Sequence, residues 1–451
     1  MTALANERTD GEELSLGLGQ PFYAGSASRY NADMKTRNDI QMTVAIPTRN
    51  RARYLFYALE SCRQQPSLKF QFIVIDNNSS DDTRAVCEHF SADPRFKYCF
   101  FDETGNINDQ FQRCLENADG DWLTIIGDDD CIFSDFSALL EVAILGADSA
   151  AVNAISWDPC IYRWDSFSGV EKNRFKFFGL DNRFDFNGDQ MIMRNPSSFH
   201  THLKHNLKLI YQGPGVYHKA CRRSALQTLC DRQGYQSVFY HSPDISVSAH
   251  LIGAGEVTLH ARQSFTVLGY SENSTGASHS AGSNPKALER YYVENPEALP
   301  DYFQLLGIDA EPYTSGFTMS EIGVTFLILS TVFGSYACNP PSIQQYILSE
   351  ISNSSKLAPA HRPGIKSVLL NLIKKHGLNH SDYELALFDS TDSPISLPPP
   401  DPATLYEKTG ITSNGKELLR IERTIDGAAM QVHSILDAAA FAHAQFRFGL
   451  T

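Results

Sequence analysis

The sequence predicts an α/β fold with a mainly parallel sheet, followed by a mostly α-helical C-terminal region. Residues 42–155 alternate short β-branched or aromatic runs with helical patterns, which is typical of repeated βα units. After residue 284 the patterns become helical. A hydrophobic share of 42% and a charged share of 20% are ordinary for a globular protein, so a packed core is expected.

The first part of the chain carries the strand pattern. Each predicted strand is an apolar run of buried-strand length, and the five runs are residues 43–47, 70–75, 96–101, 122–126 and 151–155. The first helix is predicted over residues 51–65, where Tyr54, Leu55, Ala58 and Leu59 fall on one face. Later helices are predicted over residues 222–233, 245–252, 318–336, 341–352, 365–376 and 424–446.

A length of 451 residues exceeds what one hydrophobic core usually serves, so we expect more than one domain. Residues 1–40 are polar and lack periodicity, which predicts an N-terminal arm. The α/β pattern predicts a catalytic domain over residues 41–280. Residues 281–451 are predicted to form an α-helical C-terminal domain, which begins after a stretch rich in Ser, Gly and Asn.

Charge and cysteine usage exclude several classes of protein. A formal net charge of −14 disfavours a nucleic-acid binder, because such proteins need a basic surface to meet phosphates. The nine cysteines form no C-x-x-C pair, so neither a disulfide framework nor a structural zinc site is expected. No secretory signal is apparent, and the apolar run at residues 322–338 is too short to span a membrane. We therefore expect a cytoplasmic protein without a transmembrane span.

Polar residues follow the first two predicted strands. The first strand stops at Pro47, a residue that by itself also fits an ordinary strand-to-helix turn. The second ends at Asp76, whose carboxylate can accept a hydrogen bond from a nucleobase N–H. Asp76 and Asn77 also fit a simple Asx-type turn, so this motif leaves two interpretations open.

The most specific signal is the triplet Asp128, Asp129 and Asp130, which follows the fourth predicted strand. Three adjacent like charges need a counter-charge, and a divalent cation with oxygen ligands supplies one. The carboxyl ends of parallel strands are where open α/β sheets bind ligands. The alternative is a solvated acidic turn that caps the helix from Ser134.

A fourth signal is Asp244, which follows Pro243 at the start of a predicted helix. A carboxylate in this position is commonly just a helix cap. Its interpretation as a catalytic group depends on the other three motifs.

In this order, the motifs resemble those of the family 2 glycosyltransferases with a GT-A fold, over about residues 41–270. The resemblance implies that Asp76 contacts the base and that the Asp-x-Asp signature is Asp128-Asp129-Asp130. The stretch Gly105-Asn-Ile-Asn108 is similar to the family's approach to that signature. The residues implied to bind the nucleotide sugar are Pro47, Thr48, Arg49, Asp76, Asn77, Asn106, Asn108, Asp128 and Asp129.

The resemblance also implies a metal and a base. By position, Asp130 is the principal ligand of Mn²⁺ or Mg²⁺, and Asp128 holds the ribose or assists the metal. Asp244 is the base that takes a proton from the acceptor hydroxyl, so that in-line attack inverts the anomeric centre. The family often adds a histidine ligand, for which His279 is favoured over His260.

The implied activity is that of an inverting, non-processive hexosyl- or related transferase. The donor is a nucleoside-diphosphate sugar, with a UDP sugar favoured, and the acceptor is a hydroxyl of a glycan or lipid-linked molecule. The implied pathway is cell-surface polysaccharide or glycoconjugate biosynthesis, with peripheral contact at the inner face of the membrane as an option. The sequence departs from the family where Pro243, instead of Glu, precedes Asp244, and it lacks the Gln-x-x-Arg-Trp motif of processive synthases.

Two alternatives stay open at this point. A sugar-nucleotide nucleotidyltransferase also uses a parallel sheet and Mg²⁺, but residues 47–53 contain no glycine to wrap a triphosphate. A catalytically silent GT-A-like module with an adaptor role would not need the intact Asp triplet. The oligomeric state is left open by the sequence.

Overall fold

The computed structural model describes residues 40–166, 174–180, 191–240, 242–261, 263–272, 274, 321–353, 362–380, 383, 406–411, 417–426 and 434–440. These residues belong to one compact unit, Ile40–Thr451. The strands are β1 (Met42–Thr48), β2 (Phe70–Asn77), β3 (Phe96–Phe101), β4 (Trp122–Ile125), β5 (Cys131–Ile132), β6 (Ala154–Ser156), β7 (Cys160–Arg163), β8 (Arg174–Leu180), β9 (Met191–Arg194), β10 (Lys219–Arg222), β11 (Thr258–Ala261), β12 (Thr266–Tyr270), β13 (Tyr406–Ile411) and β14 (Glu417–Asp426).

The described helices flank these strands. They are α1 (Ala52–Arg63), α2 (Thr83–Phe90), α3 (Ile107–Asn117), α4 (Phe136–Ser149), α5 (Pro196–Leu203), α6 (Arg223–Gln233), α7 (Tyr235–Val238), α8 (Pro243–Gly253), α9 (Glu321–Phe333), α10 (Pro340–Asn353) and α11 (Arg362–Lys375). Short 3₁₀ helices cover Leu207–Gln212 and Ser335–Cys338, and residues 435–440 are also helical.

The central sheet has the strand order β3-β2-β1-β4-β10-β6-β11-β9. Strands β3, β2, β1 and β4 are parallel neighbours, whereas β10 is antiparallel to both β4 and β6. Side chains alternate between the two faces, so Val44 and Ile46 pack against α1, α2 and α4, while Ala45 packs against α3, α6 and α8. The predicted α/β class with a mainly parallel sheet and flanking helices is confirmed.

A second sheet has the strand order β13-β14-β8-β7-β12-β5. Strand β12 is antiparallel to β5 and parallel to β7, so it connects the residues after the Asp triplet to this sheet. This sheet was not expected from the sequence, because its strands come from distant parts of the chain.

The predicted helices of the C-terminal region are present as α9, α10 and α11. The prediction of a helix from residue 424 is wrong at its start, since residues 424–426 belong to β14, which pairs with β8. The fifth predicted strand is also displaced, to Ala154–Ser156. The predicted border at residue 280 lies outside the described residues, and the two-domain division stays a prediction.

Two further expectations concern disulfides and membranes. The eight cysteines whose side chains are described are free thiols. Among the helices that the structure describes, none combines the length and the apolar character needed to cross a membrane.

Candidate active site

The ends of three neighbouring strands bring the sequence motifs together. Strand β1 lies between β2 and β4 and is parallel to both. Thr48, the last residue of β1, is in register with Asp76. Its hydroxyl Oγ1 donates a hydrogen bond to Asp128 Oδ2 at 2.7 Å. The carboxyl edge of the sheet therefore carries polar groups from all three strands.

Asp128, Asp129 and Asp130, here called the acidic tip, are 5%, 5% and 0% exposed, so they do not form a solvated turn. A counter-charge comes from Arg51 at the start of α1. Its Nε lies 2.6 Å from Asp128 Oδ1, and its Nη2 lies 2.6 Å from Asp129 Oδ2. One guanidinium thus pairs with two of the three carboxylates, and its single positive charge offsets one of their two negative charges.

Among the described residues, hydrogen-bond donors contact only one of the two carboxylate oxygens of Asp129. The backbone N and Oγ of Ser271 donate to Asp129 Oδ2 at 3.2 and 2.7 Å. Trp164 Nε1 donates to the backbone oxygen of Asp129 at 3.0 Å. Within the described residues, no donor contacts Asp129 Oδ1. This is the one carboxylate oxygen of the acidic tip without such a partner.

Asp130 is fully enclosed by protein donors. Gly269 N donates to Oδ1 at 2.6 Å, and Oδ2 accepts from Gly127 N, Tyr217 Oη and His218 Nε2, the last at 2.8 Å. A metal ion bound by Asp130 would have to displace donors from a carboxylate with no exposed surface. The predicted role of Asp130 as the principal metal ligand stays a prediction, and this arrangement favours Asp129.

A hydrogen-bonded chain stands behind Asp130. Trp157 Nε1 donates to Thr266 Oγ1 at 2.9 Å, and that hydroxyl lies 2.8 Å from His218 Nδ1. Because indole nitrogen can only donate, Thr266 Oγ1 accepts from Trp157 and can donate its own hydrogen to Nδ1 of a neutral imidazole. His218 then donates from Nε2 to Asp130. Its backbone has φ of 49°, a conformation that is uncommon outside glycine.

Burial and neighbouring charges shift the pKa values of these groups in opposite directions. Burial raises the pKa of Asp128 and raises that of Asp129 to about 6, and the charge of Arg51 opposes both shifts. Burial also disfavours the charged form of Arg51, but the two carboxylates outweigh it and raise its pKa above the ordinary value. The acidic tip is therefore a place where added positive charge is stabilising.

The predicted base-contacting residues lie in turns beside this tip. Asp76 is 1% exposed, and its oxygens accept from Ser79 N at 2.9 Å and from Tyr98 Oη at 2.6 Å. The Asp76 carboxylate thus accepts from a backbone N–H three residues on, one residue further than in an Asx-turn, and its contact with a base stays a prediction. The Asn77 amide bonds both the N and the O of Gly105 at 2.8 Å, which fixes the approach to α3.

The remaining predicted nucleotide-binding residues lie on the same edge. Asn106 caps α3 and forms a capping box with Asp109. Asn108 has a buried Oδ1 without a hydrogen-bond partner among the described residues. Pro47 is partly buried in β1, and Arg49 lies partly buried in the turn that follows.

Asp244 lies in the first turn of α8 and is partly buried. Ser242 Oγ donates to its Oδ1 at 2.7 Å. Burial raises the pKa of Tyr217 well above its usual value, and the charges of Asp130 and Asp244 add to this shift. Of the two carboxylates, Asp130 contacts the phenol directly, since Tyr217 Oη donates to its Oδ2 at 3.1 Å.

A buried lysine accompanies Asp244. Lys219 is 6% exposed, and its Nζ donates to Ser248 Oγ at 3.3 Å, whose hydroxyl donates to the Asp244 backbone oxygen at 3.0 Å. Burial lowers the pKa of Lys219 to about 8, and the charge of Asp244 opposes that shift. The positive charge of Lys219 therefore interacts electrostatically with Asp244, the candidate base.

The two candidate histidine ligands differ in what can be said of them. His279 lies outside the described residues. His260 is a buried residue of β11, and its Nδ1 lies 2.9 Å from Ser156 Oγ. Within the described residues, no group of three or more His, Cys, Asp and Glu side chains is arranged to hold a metal ion.

Sequence reasoning missed several residues that build this site. Arg51 had a detectable signal, because an acidic triplet needs a counter-charge and a basic turn follows the first strand. Tyr217, His218, Trp164 and Ser271 had none, since they are single residues from distant segments. Their roles follow only from the positions of β7, β10 and β12.

Residues 43–230 match the sequence profile of the family described as glycosyl transferase family 2. A 101-residue stretch is 35% identical to the GalNAc(5)-diNAcBac-PP-undecaprenol beta-1,3-glucosyltransferase of Campylobacter jejuni, which is 21% of this chain and 31% of that protein. A protein of Mycoplasma pneumoniae named as an uncharacterized glycosyltransferase is 33% identical over 99 residues, 21% of this chain and 33% of its own length. The chain spans about a third of the length of these two relatives.

Solved structures show more distant similarity. Staphylococcus aureus TarS has a TM-score of 0.43 and 15% identity, covering 74% of this chain and 49% of that one. The mannosyltransferase PcManGT from Pyrobaculum calidifontis, in complex with GDP-Man and Mn²⁺, has a TM-score of 0.37 and 15% identity, covering 77% and 85%. Residues 43–230 are thus similar in sequence to glycosyl transferase family 2 domains, and this stretch contains strands β1 to β4 of the α/β sheet.

Proposed function

We propose that the protein is a metal-dependent, inverting glycosyltransferase. It transfers a sugar from a nucleoside-diphosphate sugar to a hydroxyl of a glycan or lipid-linked acceptor. The single observation that carries the proposal is the meeting of three strand ends at one buried acidic tip, where Thr48 is in register with Asp76 and bonded to Asp128. That arrangement supports a site in which the base-binding and phosphate-binding candidates share one edge of the sheet, with Asp244 as the proposed base.

The acidic tip fits a divalent cation by the chemistry of its donors. Its side chains offer hard oxygen ligands, and a positively charged guanidinium already lies between two of them. Mg²⁺ is commonly held by one or two carboxylates together with substrate phosphates, so a site with few protein ligands is not unusual. Asp129 and Asp128 would hold the cation, which when bound offsets charge on the leaving diphosphate.

The protein's own residues supply the remaining functions. Asp244 accepts the proton of the acceptor hydroxyl, and Ser242 orients its carboxylate through the 2.7 Å hydrogen bond. Asp130 does not leave its donors; through Gly127, His218 and Gly269 it fixes the turn that presents Asp129. Attack from the Asp244 side, opposite the leaving group, inverts the anomeric configuration.

We also propose an acceptor and a cellular location for the protein. The name of the Campylobacter jejuni relative includes PP-undecaprenol, which supports a lipid-linked acceptor and a pathway of cell-surface glycoconjugate synthesis. A protein that acts on such an acceptor from the cytoplasm would bind peripherally at the inner face of the membrane. UDP sugars are the favoured donors.

The role of Asp244 is tested by the variant Asp244→Asn. It removes the base but keeps the shape, so we expect donor binding to be unchanged and transfer to fall by roughly 10²- to 10⁴-fold. Asp165→Asn is the matched control, because Asp165 is an exposed carboxylate paired with Arg53. Parent-level transfer by Asp244→Asn would contradict the assignment.

Donor and metal binding are tested by thermal shift with UDP, GDP, CDP and dTDP, each with and without Mn²⁺. A ligand at 100 times its Kd stabilises the fold by about 2.7 kcal/mol, so a cognate nucleotide gives a clear shift. We expect this shift to require Mn²⁺ and to be lost in Asp129→Asn. If no nucleotide stabilises the protein in Mn²⁺, the proposed function is wrong.

A further inference from the structure

Arg51 already contacts the carboxylates that the proposed function assigns to a divalent cation. Its guanidinium bridges Asp128 and Asp129 and also donates from Nη2 to Ser271 Oγ at 2.7 Å. The side chain of Arg51 is 12% exposed, and those of the two carboxylates are each 7% exposed. The residues that would hold a cation are therefore already paired with a positive charge of the protein.

We propose that Arg51 is an exchangeable counter-ion of the acidic tip, which competes with the divalent cation for Asp128 and Asp129. The inference rests on the proposed function for the identity of the donor, but the competition itself concerns only the protein and the metal. A cation that binds these carboxylates takes over the neutralisation that Arg51 provides. The guanidinium then loses its two closest partners.

The surroundings of Arg51 suit such an exchange. Its backbone is fixed, because the preceding Asn50 accepts from Ser80 N at 2.7 Å and donates its own N–H to Ser79 Oγ at 2.9 Å. Among the residues that the structure describes, its side chain is held only by the acidic tip, by Ser271 and by the ring of Tyr54, whose centroid lies 5.0 Å from the guanidinium carbon. The group can therefore change partners without movement of α1.

The exchange of Arg51 for a cation affects the order in which the cation and the nucleoside diphosphate bind. A cation alone must break buried ion pairs, and leaving Arg51 buried without a partner is costly. A nucleoside diphosphate that arrives with the cation offers phosphate oxygens, which a planar guanidinium binds well. Cation and donor should then strengthen each other's binding, and the coupling must be reciprocal.

The test compares the binding of Mn²⁺ to the full-length parent and to Arg51→Gln, measured by electron paramagnetic resonance of free Mn²⁺, with and without UDP. We expect Arg51→Gln to bind Mn²⁺ alone at least about tenfold more tightly, a difference of about 1.4 kcal/mol. We also expect UDP to improve Mn²⁺ binding to the parent by more than it improves binding to the variant.

Arg53→Gln is the matched control, because Arg53 is 61% exposed and pairs with an exposed aspartate, so parent-like Mn²⁺ binding is expected. If Arg51→Gln folds poorly, Arg51→Lys serves in its place, since an ammonium cannot bridge both carboxylates and should give an intermediate gain. The proposal is overturned if neither Arg51 variant binds Mn²⁺ more tightly than the parent, or if no protein binds it. Tighter Mn²⁺ binding without any UDP effect would support the competition and count against the proposed donor.

Discussion

Gly269 lies directly against the acidic tip, and its lack of a side chain is what allows that approach. A Cβ atom built there would lie 1.7 Å from the backbone oxygen of Asp129 and 2.9 Å from Trp164 Nε1. The Gly269 N–H also donates to Asp130. At the residue scale, the geometry of the tip thus depends on one position where only glycine fits.

We predict that Gly269→Ala shifts the acidic tip and lowers the free energy of unfolding by roughly 2–4 kcal/mol. The backbone of Asp129 has no room to move, because Trp164 binds the same oxygen. Chemical denaturation measures the loss. Gly253→Ala is the control, since a Cβ there meets ordinary contacts of 3.5 Å or more. Equal stability of Gly269→Ala and the parent would contradict this account.

Lys219 predicts a pH dependence of stability. Its pKa is lowered from 10.5 to about 8 in the folded protein, chiefly by burial. Between these values the unfolded chain binds more protons than the folded one, so the folded state gains stability as the pH rises. The gain from Lys219 is roughly 3 kcal/mol over this range.

The measurement is the free energy of unfolding of the parent and of Lys219→Met from pH 7 to 11. We expect the advantage of the variant at pH 7 to shrink across the window from about 8 to 10.5. Lys97→Met, which removes a lysine with 33% side-chain exposure, should show no such change. Parallel curves for Lys219→Met and the parent would show that the lysine is not buried as a charge.

At the scale of elements, β12 does most to assemble the site. It delivers Thr266 to His218, Gly269 to Asp130 and, one residue beyond its end, Ser271 to Asp129. Behind this strand, the helical residues 435–440 complete a core that includes Tyr54 and Trp164. A C-terminal segment therefore supports a site that the chain builds from residues 48–271.

We predict that Ile435→Ala destabilises the protein by roughly 2–4 kcal/mol, because Ile435 is fully buried in that core. The cavity should also loosen Trp164 and move the tryptophan emission to the red. Urea denaturation followed by fluorescence measures both effects. The exposed Ala440 of the same segment provides the control Ala440→Ser, which should be neutral. An unchanged emission maximum in Ile435→Ala would argue against the supporting role.

At the scale of the whole molecule, the C-terminal helices share a hydrophobic core with the helix that carries Asp244. Phe326, Leu327 and Tyr346 of α9 and α10 cluster with Ile245 and Ile252 of α8. Rings of Phe326 and Tyr346 stack at 4.9 Å within it. The position of the proposed base thus depends on packing from residues beyond the predicted domain border.

We predict that a fragment ending at residue 280 does not fold as a stable monomer, because it would expose the apolar face of α8. Size-exclusion chromatography and binding of a hydrophobic dye measure this against the full chain. A fragment ending at residue 383, which keeps that core, should be more soluble. A monomeric 1–280 fragment with the melting temperature of the parent would instead support an independent catalytic domain.

The sequence determined the elements whose signals are local. Apolar runs predicted β1 to β4 to within about two residues, because a buried parallel strand must be apolar along its length. The positions of Asp76, Asp128 and Asp244 could also be predicted, because each lies where an apolar strand ends or a helix begins. Parallel topology then required the strand-end motifs to meet at one edge.

Only the tertiary structure decided how the acidic tip is neutralised and which of its oxygens lack a protein donor among the described residues. A basic turn in the sequence contains Arg51, but which carboxylates it pairs with depends on the fold. His218 and Ser271 reach the tip from distant segments, and no local pattern marks their contacts. The second sheet and the core that α9 and α10 share with α8 could not be predicted from the sequence for the same reason. Their stabilisation arises from long-range pairing and burial, which depend on how the whole chain packs.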